Sequence, residues 1–141
     1  MENINALDEI SKGACMGMDA INIVLEKAED EELKKTLKLE YNKYKDIHKR
    51  IEEVYSKYDS DEPHKTSTMN KVMTWYGINM RTLTDHSTSK LAELLLQGTN
   101  MGIIEGRKVL NNKNLDKEVT NLIDEYVTMQ EDSVEKLKTF L

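Results

Sequence analysis

One stretch decides the fold, and it reads Leu91-Ala-Glu-Leu-Leu-Leu-Gln-Gly-Thr-Asn-Met-Gly-Ile-Ile-Glu105. Apolar and small residues dominate this stretch, and a few carboxylate and amide side chains lie among them. A glycine costs a helix about 1 kcal/mol relative to alanine, so Gly98 and Gly102 are easiest to explain where another backbone comes close. The stretch therefore predicts the central helix of an all-α bundle, with neighbouring helices packed on most of its sides.

The composition and charge are those of a helical domain. The chain has 141 residues, 33% of them charged, with one proline and six glycines, which is the size of one domain with a substantial core. A net charge of −6 without a Lys/Arg cluster argues against nucleic-acid binding. The single cysteine, Cys15, fits a reducing compartment. The first residues lack the pattern of a signal peptide, and no apolar run reaches the roughly 18 residues of a membrane span. We therefore expect a cytoplasmic protein that does not bind membranes.

Apolar periodicity predicts five helices within a single domain that spans residues 1–141. The apolar residues recur in steps of three and four, and polar residues between the periodic segments supply helix caps, among them Asp30 and the Ser, Thr and Asp residues of 84–89. The predicted helices are 3–28, 31–58, 67–83, 87–110 and 115–140.

The lengths of the predicted connections limit the topology. Short turns join the first helix to the second and the fourth to the fifth, which predicts two antiparallel hairpins. The long connection between these hairpins contains the predicted helix 67–83. If this helix runs the length of the bundle, the second and fourth helices are parallel and the connection is a crossover. A plain five-helix, up-and-down bundle is the alternative, and the sequence separates the two poorly.

One carboxylate interrupts the apolar seam of the second helix. Glu40 occupies a position where the heptad pattern requires an apolar residue, and burying an unpaired charge is expensive. Counting residues from the turn near 29–30 places Asp19 opposite Glu40, and similar counts on the fourth and fifth helices reach the same height. Because hard cations accept oxygen ligands alone, the candidate metal ligands at this height are Asp19, Glu40, Glu93, Gln97 and Glu131.

The predicted crossover and central helix also carry a resemblance to a known family. The stretches Thr74-Trp-Tyr-Gly-Ile-Asn-Met-Arg-Thr-Leu-Thr-Asp-His86 and Leu91-Ala-Glu-Leu-Leu-Leu-Gln-Gly-Thr99 are similar to an uncharacterised bacterial branch of the ferritin-like superfamily. In that branch a tryptophan-containing crossover leads into a helix with an Ala-Glu…Gly pattern. The resemblance implies a ferritin-like antiparallel four-helix bundle with an additional helix in the long crossover between the second and fourth predicted helices, in a bacterial protein.

The sequence lacks the motif of classical ferroxidase chemistry. A di-iron carboxylate centre needs Glu-x-x-His on two of its helices, and no predicted helix here has it: Lys43 follows Glu40 by three positions, and Val134 follows Glu131. The sequence leaves open only a metal site whose ligands are all oxygen atoms.

Other reactive side chains are interpreted as structural, so no catalytic residue is predicted. Cys15 has no histidine near it in sequence, so it is expected to be a small buried hydrophobe. His48 lies beside the seam of the second helix and is expected to be solvated or packed. Asp85-His86-Ser87 contains the residue types of a hydrolytic triad, but adjacent residues in a turn cannot form the required line.

The sequence favours association over catalysis. Apolar residues lie on more than one side of the predicted helix 67–83, namely Met69, Met73, Trp75, Ile78 and Met80, and an isologous homodimer is the simplest use of that excess. The leading prediction is a non-catalytic helical bundle that acts through protein–protein association and has no cofactor. The alternative is a metal-binding or oxidoreductive bundle with an all-carboxylate site between its helices.

Overall fold

A computed structural model describes residues 2–58, 74–79, 82–111 and 114–141. Throughout these ranges the chain forms helices and connecting turns and no strand, which confirms the all-α prediction. None of the helices in these ranges is long and apolar enough to cross a membrane. The long helices are α1 (Glu2–Lys27), α2 (Glu31–Tyr55), α3 (Thr88–Leu110) and α4 (Lys117–Lys138), and a 3₁₀ turn, Ser56–Tyr58, follows α2.

Two of these helices begin at the caps that the sequence predicts. The Asp30 carboxylate accepts a hydrogen bond of 2.8 Å from the Leu33 backbone N–H at the start of α2. The Ser87 hydroxyl accepts one of 3.3 Å from Lys90 N–H at the start of α3. Each side chain satisfies one of the backbone donors that a first helical turn leaves unpaired.

The connection between α2 and α3 is described only in part. Residues 74–79 are helical, whereas residues 82–87 are not, so the predicted end of this helix at Leu83 is too late. Most of the predicted helix 67–83, including three of its methionines, lies outside the described residues.

Contacts near the ends of the helices establish their directions. The start of α4 lies beside both the start of α1 and the end of α2: the Asp116 backbone N–H donates to Asn3 Oδ1 at 2.9 Å, and the Tyr58 hydroxyl donates to Asp116 Oδ2 at 2.6 Å. Therefore α1 and α4 are parallel, and α2 is antiparallel to both. Gly106 near the end of α3 faces Val127, whereas Gly102, one turn earlier on α3, faces Gln130, which lies farther along α4. The contacts therefore run in opposite directions along the two helices, which makes α3 and α4 antiparallel.

These directions make α2 and α3 parallel, so the chain between them must travel from one end of the bundle to the other. At 1.5 Å per residue, α3 alone is roughly 35 Å long, and the connection has to cover a similar distance. Both topologies that the sequence favours contain this crossing. The resulting bundle has two antiparallel hairpins, α1–α2 and α3–α4.

The glycines of α3 admit side chains rather than a neighbouring backbone, which corrects the sequence interpretation. A Cβ atom at Gly98 would lie 1.6 Å from the Tyr76 hydroxyl oxygen, and one at Gly102 would lie 2.4 Å from Gln130 Nε2. The close approach was predicted, but the partners are two large polar side chains that enter the core. At Gly98 in particular, the crossing connection packs on the bundle through the side chain of Tyr76.

Candidate functional site

A polar layer interrupts the apolar core about halfway along the bundle. Its buried side chains come from three helices: Glu40 on α2, Thr99 on α3, and Gln130 with Ser133 on α4. Three buried tyrosines, Tyr44, Tyr76 and Tyr126, complete it. Buried polar groups normally have hydrogen-bond partners, so the layer is the first place to look for a site.

Glu40 is the only charged member of this layer. Its side chain belongs to the α2 seam and is only 5% exposed. Carboxylate oxygen Oε1 lies 3.5 Å from Nζ of the exposed Lys43, whereas Oε2 has no hydrogen-bond partner among the described residues. A long ion pair with an exposed lysine stabilises little, so most of the desolvation cost of this carboxylate is left uncompensated.

Three buried tyrosine hydroxyls belong to this layer and remain protonated. Burial, reinforced by the charge of Glu40, raises the pKa of Tyr44 to about 12. Burial likewise raises the pKa values of Tyr76 and Tyr126. The rings also pack together, with Tyr44 and Tyr126 edge to face at a centroid distance of 6.3 Å. These hydroxyls therefore act as hydrogen-bond partners at neutral pH and are unsuited to act as bases or nucleophiles.

Gln130 provides a second unpartnered acceptor. This side chain is only 2% exposed, and its Nε2 donates to the Tyr126 hydroxyl at 3.2 Å. Its Oε1 has no partner among the described residues. Thr99 does not supply one, because its hydroxyl donates to the Leu95 carbonyl within α3 at 2.7 Å.

A small cavity joins these groups. Its volume is about 20 Å³, and its walls include Glu40, Tyr44, Tyr76, Thr99, Gln130 and Ser133. A cavity needs roughly 10–15 Å³ of such volume to hold one water molecule, so this one suits a single water-sized species. Because the two unpartnered oxygens are acceptors, a species that donates hydrogen bonds or carries positive charge suits the cavity chemically.

The structure places the predicted metal ligands on different sides of their helices. Glu40 alone lies in the buried layer. Asp19 and Gln97 are exposed, Glu93 accepts a 2.7 Å hydrogen bond from Lys90, and the exposed Glu131 accepts one from Arg107. Residue counting predicts height along a bundle but not which side of a helix faces inward. Within the described ranges, no three His, Cys, Asp or Glu side chains form a group arranged to hold a metal ion.

The sequence interpretation missed a second cluster, on the surface between α1 and α2. Sγ of Cys15 lies 3.2 Å from Nε2 of His48, although the two residues are far apart in sequence. Burial, with the nearby charges of Asp19 and Glu52, raises the pKa of the Cys15 thiol, so the free thiol is not an activated nucleophile. The pair could have been predicted from the antiparallel register of the α1–α2 hairpin, because that register brings Cys15 to within about one turn of His48.

No protein-family model matches this chain, and neither a curated protein nor a solved structure is detectably similar to it. The chemistry of the buried layer, the surface cluster and the exposed apolar residues is therefore what remains to indicate a function.

Proposed function

We propose that this chain is a non-catalytic, ferritin-like helical bundle that acts through protein–protein association, with a second copy of the chain as the first partner. Parallel α2 and α3 joined by one long connection are the arrangement of ferritin-like bundles, and this supports the family resemblance of the crossover and central helix. The proposal places the association surface on the connection.

The observation that carries the proposal is the exposure of Ile78 on an anchored segment. Two positions earlier, Tyr76 is buried in the core and its hydroxyl donates to the Leu95 carbonyl at 3.4 Å. The Ile78 side chain is 57% exposed, and the half-buried Trp75 lies nearby in the same short helical segment. A single exposed isoleucine is ordinary, but this one is held at a fixed place by the tyrosine beside it.

The chemistry of the buried layer supports a non-catalytic role. Its tyrosines keep their protons, and its carboxylate lines a buried cavity that admits only a water-sized species. An organic substrate commonly needs a pocket of about 300 Å³ or more, so this buried cavity is too small for one. The larger hollows among the described residues, such as one of about 480 Å³ between α2 and α4, lie open on the surface.

Sedimentation velocity on two matched variants tests the association. Ile78 and Leu39 are equally exposed, at 57%, but Leu39 lies on α2. We expect the wild-type chain to dimerise at micromolar concentration and Ile78→Ser to weaken the dimer at least tenfold, because burying an isoleucine contributes about 1.5–3 kcal/mol and an isologous interface uses it twice. Leu39→Ser should leave the dimer unchanged. A wild-type monomer throughout the micromolar range, or equal effects of the two substitutions, would contradict the proposal.

The second candidate is the metal-binding or oxidoreductive bundle with a site between its helices. The unpartnered Glu40 Oε2 at the cavity is the observation that favours it. Elemental analysis of protein purified without a metal-affinity tag tests this candidate. A stoichiometric metal that disappears in Glu40→Ala would support it, whereas a metal-free protein, or one whose metal survives that substitution, would rule it out.

A further inference from the structure

Four polar side chains meet at the surface between α1 and α2. Ser11 and Cys15 lie one turn apart on α1, and His48 and Glu52 lie one turn apart on α2. The Cys15 thiol contacts His48 Nε2 at 3.2 Å, and Glu52 Oε1 lies 3.5 Å from the same nitrogen. Residues at i and i+4 share a helix face, and the antiparallel hairpin turns these two faces toward each other.

This cluster is accessible from solvent. The Glu52 side chain is 54% exposed and the His48 side chain 26% exposed, while Cys15 is half-buried. The sulfur, nitrogen and oxygen atoms of the three side chains are a mixed donor set. Thiolate and imidazole ligands select transition metals such as Zn²⁺, whereas Mg²⁺ and Ca²⁺ prefer oxygen ligands alone.

We propose that Cys15, His48 and Glu52 form a binding site for a single divalent transition metal ion of the Zn²⁺ or Co²⁺ type, with water as the fourth ligand. The site shares no residue with the connection or with the buried layer. It is therefore independent of the proposed association and of any ion held by Glu40.

Two ligand separations fit such an ion. Tetrahedral zinc bonds of about 2.3 Å to sulfur and about 2.0 Å to nitrogen and oxygen separate S from N by about 3.5 Å and N from O by about 3.3 Å. The structure has 3.2 Å between Cys15 Sγ and His48 Nε2 and 3.5 Å between His48 Nε2 and Glu52 Oε1. The separations of His48 Nε2 from Cys15 Sγ and from Glu52 Oε1 are thus already close to those between ligand atoms of a tetrahedral site.

One side chain must turn to complete the site. Glu52 Oε1 currently accepts a 2.8 Å hydrogen bond from the Ser11 hydroxyl, and the three ligands do not yet form a converged group within the described residues. Because this hydrogen bond is exposed and such bonds stabilise little, Ser11 does not hold the Glu52 carboxylate against a competing metal ion.

Binding also converts the Cys15 thiol into a thiolate. The S–H bond breaks, its proton passes to solvent, a sulfur–metal bond forms, and water molecules leave the hydrated ion. The thiolate and the Glu52 carboxylate then balance the two positive charges of the metal. The nearby charge of Asp19, which disfavours a bare thiolate, attracts the cation.

Cobalt spectroscopy tests the site directly. We would titrate the full chain with Co²⁺ under a reductant that lacks thiols and follow the near-ultraviolet sulfur-to-cobalt charge-transfer band. The site predicts saturation at one equivalent, loss of the band when Zn²⁺ is added, and no band in Cys15→Ser. The absence of a saturable band in the wild-type chain would overturn the proposal.

Two matched pairs of variants test the other ligands. His48→Ala should weaken cobalt binding by more than tenfold, since even indirect partners of metal ligands commonly contribute about tenfold, whereas His86→Ala, in the turn before α3, should not. Glu52→Gln should weaken binding, whereas Glu53→Gln, the next residue on α2, should not. Equal affinities within either pair would exclude that ligand and overturn the proposed three-ligand site. Circular dichroism of each variant checks that α1 and α2 remain folded.

Discussion

At the scale of the residue, Glu40 is the most unusual feature of the core. The heptad pattern of α2 predicts that its side chain faces the core, and the structure buries it there with one carboxylate oxygen unpartnered. In a bundle that serves only as a scaffold, this carboxylate lowers the stability of the fold, because no contact compensates for its burial. In a bundle that holds an ion at its centre, the same carboxylate would stabilise the fold.

Replacing Glu40 with leucine separates these two cases. We expect Glu40→Leu to raise the free energy of unfolding by about 1–3 kcal/mol, because it completes the apolar seam and removes a buried, poorly paired charge. The exposed partner offers a control: Lys43→Met should change stability by less than about 1 kcal/mol. Urea unfolding measures both. A loss of stability in Glu40→Leu would mean that the carboxylate holds a stabilising partner.

The same layer shows where sequence reasoning reaches its limit. Glu40 was identified because a long apolar seam fixes which side of α2 is buried. On α4, residue counting selected Glu131, but the buried amide is its neighbour Gln130. Adjacent helical residues point about 100° apart, so a correct height with an error of one residue selects a side chain on another face.

At the scale of the element, the crossing connection is held by one tyrosine. Tyr76 fills the space above Gly98, and its hydroxyl reaches the backbone of α3. The sequence predicted that Gly98 has a close neighbour, but not which residue, because apolar periodicity shows which face of a helix is buried and not which residue of another segment it meets. The directions of the four long helices were easier to predict, since short turns leave few alternatives.

Substituting Gly98 should detach this connection. A Cβ at Gly98 would overlap the end of the Tyr76 ring, so we expect Gly98→Ala to displace the ring and to cost at least about 1–3 kcal/mol of stability, the range typical of overpacked cores. The single tryptophan, Trp75, lies edge-on to Tyr76 at 5.2 Å, and its fluorescence should shift to longer wavelength as it becomes solvated.

A double-mutant cycle supplies the control for this prediction. In a Tyr76→Ala background the alanine at position 98 has no ring to displace, so its cost should fall toward zero or reverse, because alanine favours a helix over glycine. An equal cost in both backgrounds would show that Gly98 is required by α3 itself rather than by the connection.

At the scale of the whole molecule, the buried tyrosines predict sensitivity to alkali. The pKa of Tyr44 is about 12 in the folded chain, against about 10 in an unfolded one. Its contribution to stability is fully present below about pH 10 and is lost as the pH rises toward about 12, because the unfolded chain releases the proton first. Tyr76 and Tyr126 shift in the same direction.

Urea unfolding at about pH 9 and at about pH 11 should therefore show a fall in stability, to which Tyr44 alone contributes about 1 kcal/mol. Tyr44→Phe should lose less stability over this interval than the wild-type chain. Tyr41→Phe, at a half-buried position on the same helix, serves as the control. Identical losses in the two variants would mean that the proton of Tyr44 does not contribute to alkaline sensitivity.

The central claim is that two copies of this bundle associate through the connection that carries Trp75 and Ile78. Hydrogen exchange of a peptide spanning residues 74–79, compared between dilute and concentrated wild-type protein, tests it most directly. The account predicts slower exchange in this peptide at the higher concentration, while peptides from the exposed side of α2 around Leu39 exchange equally at both. Exchange in residues 74–79 that does not depend on concentration would contradict the claim.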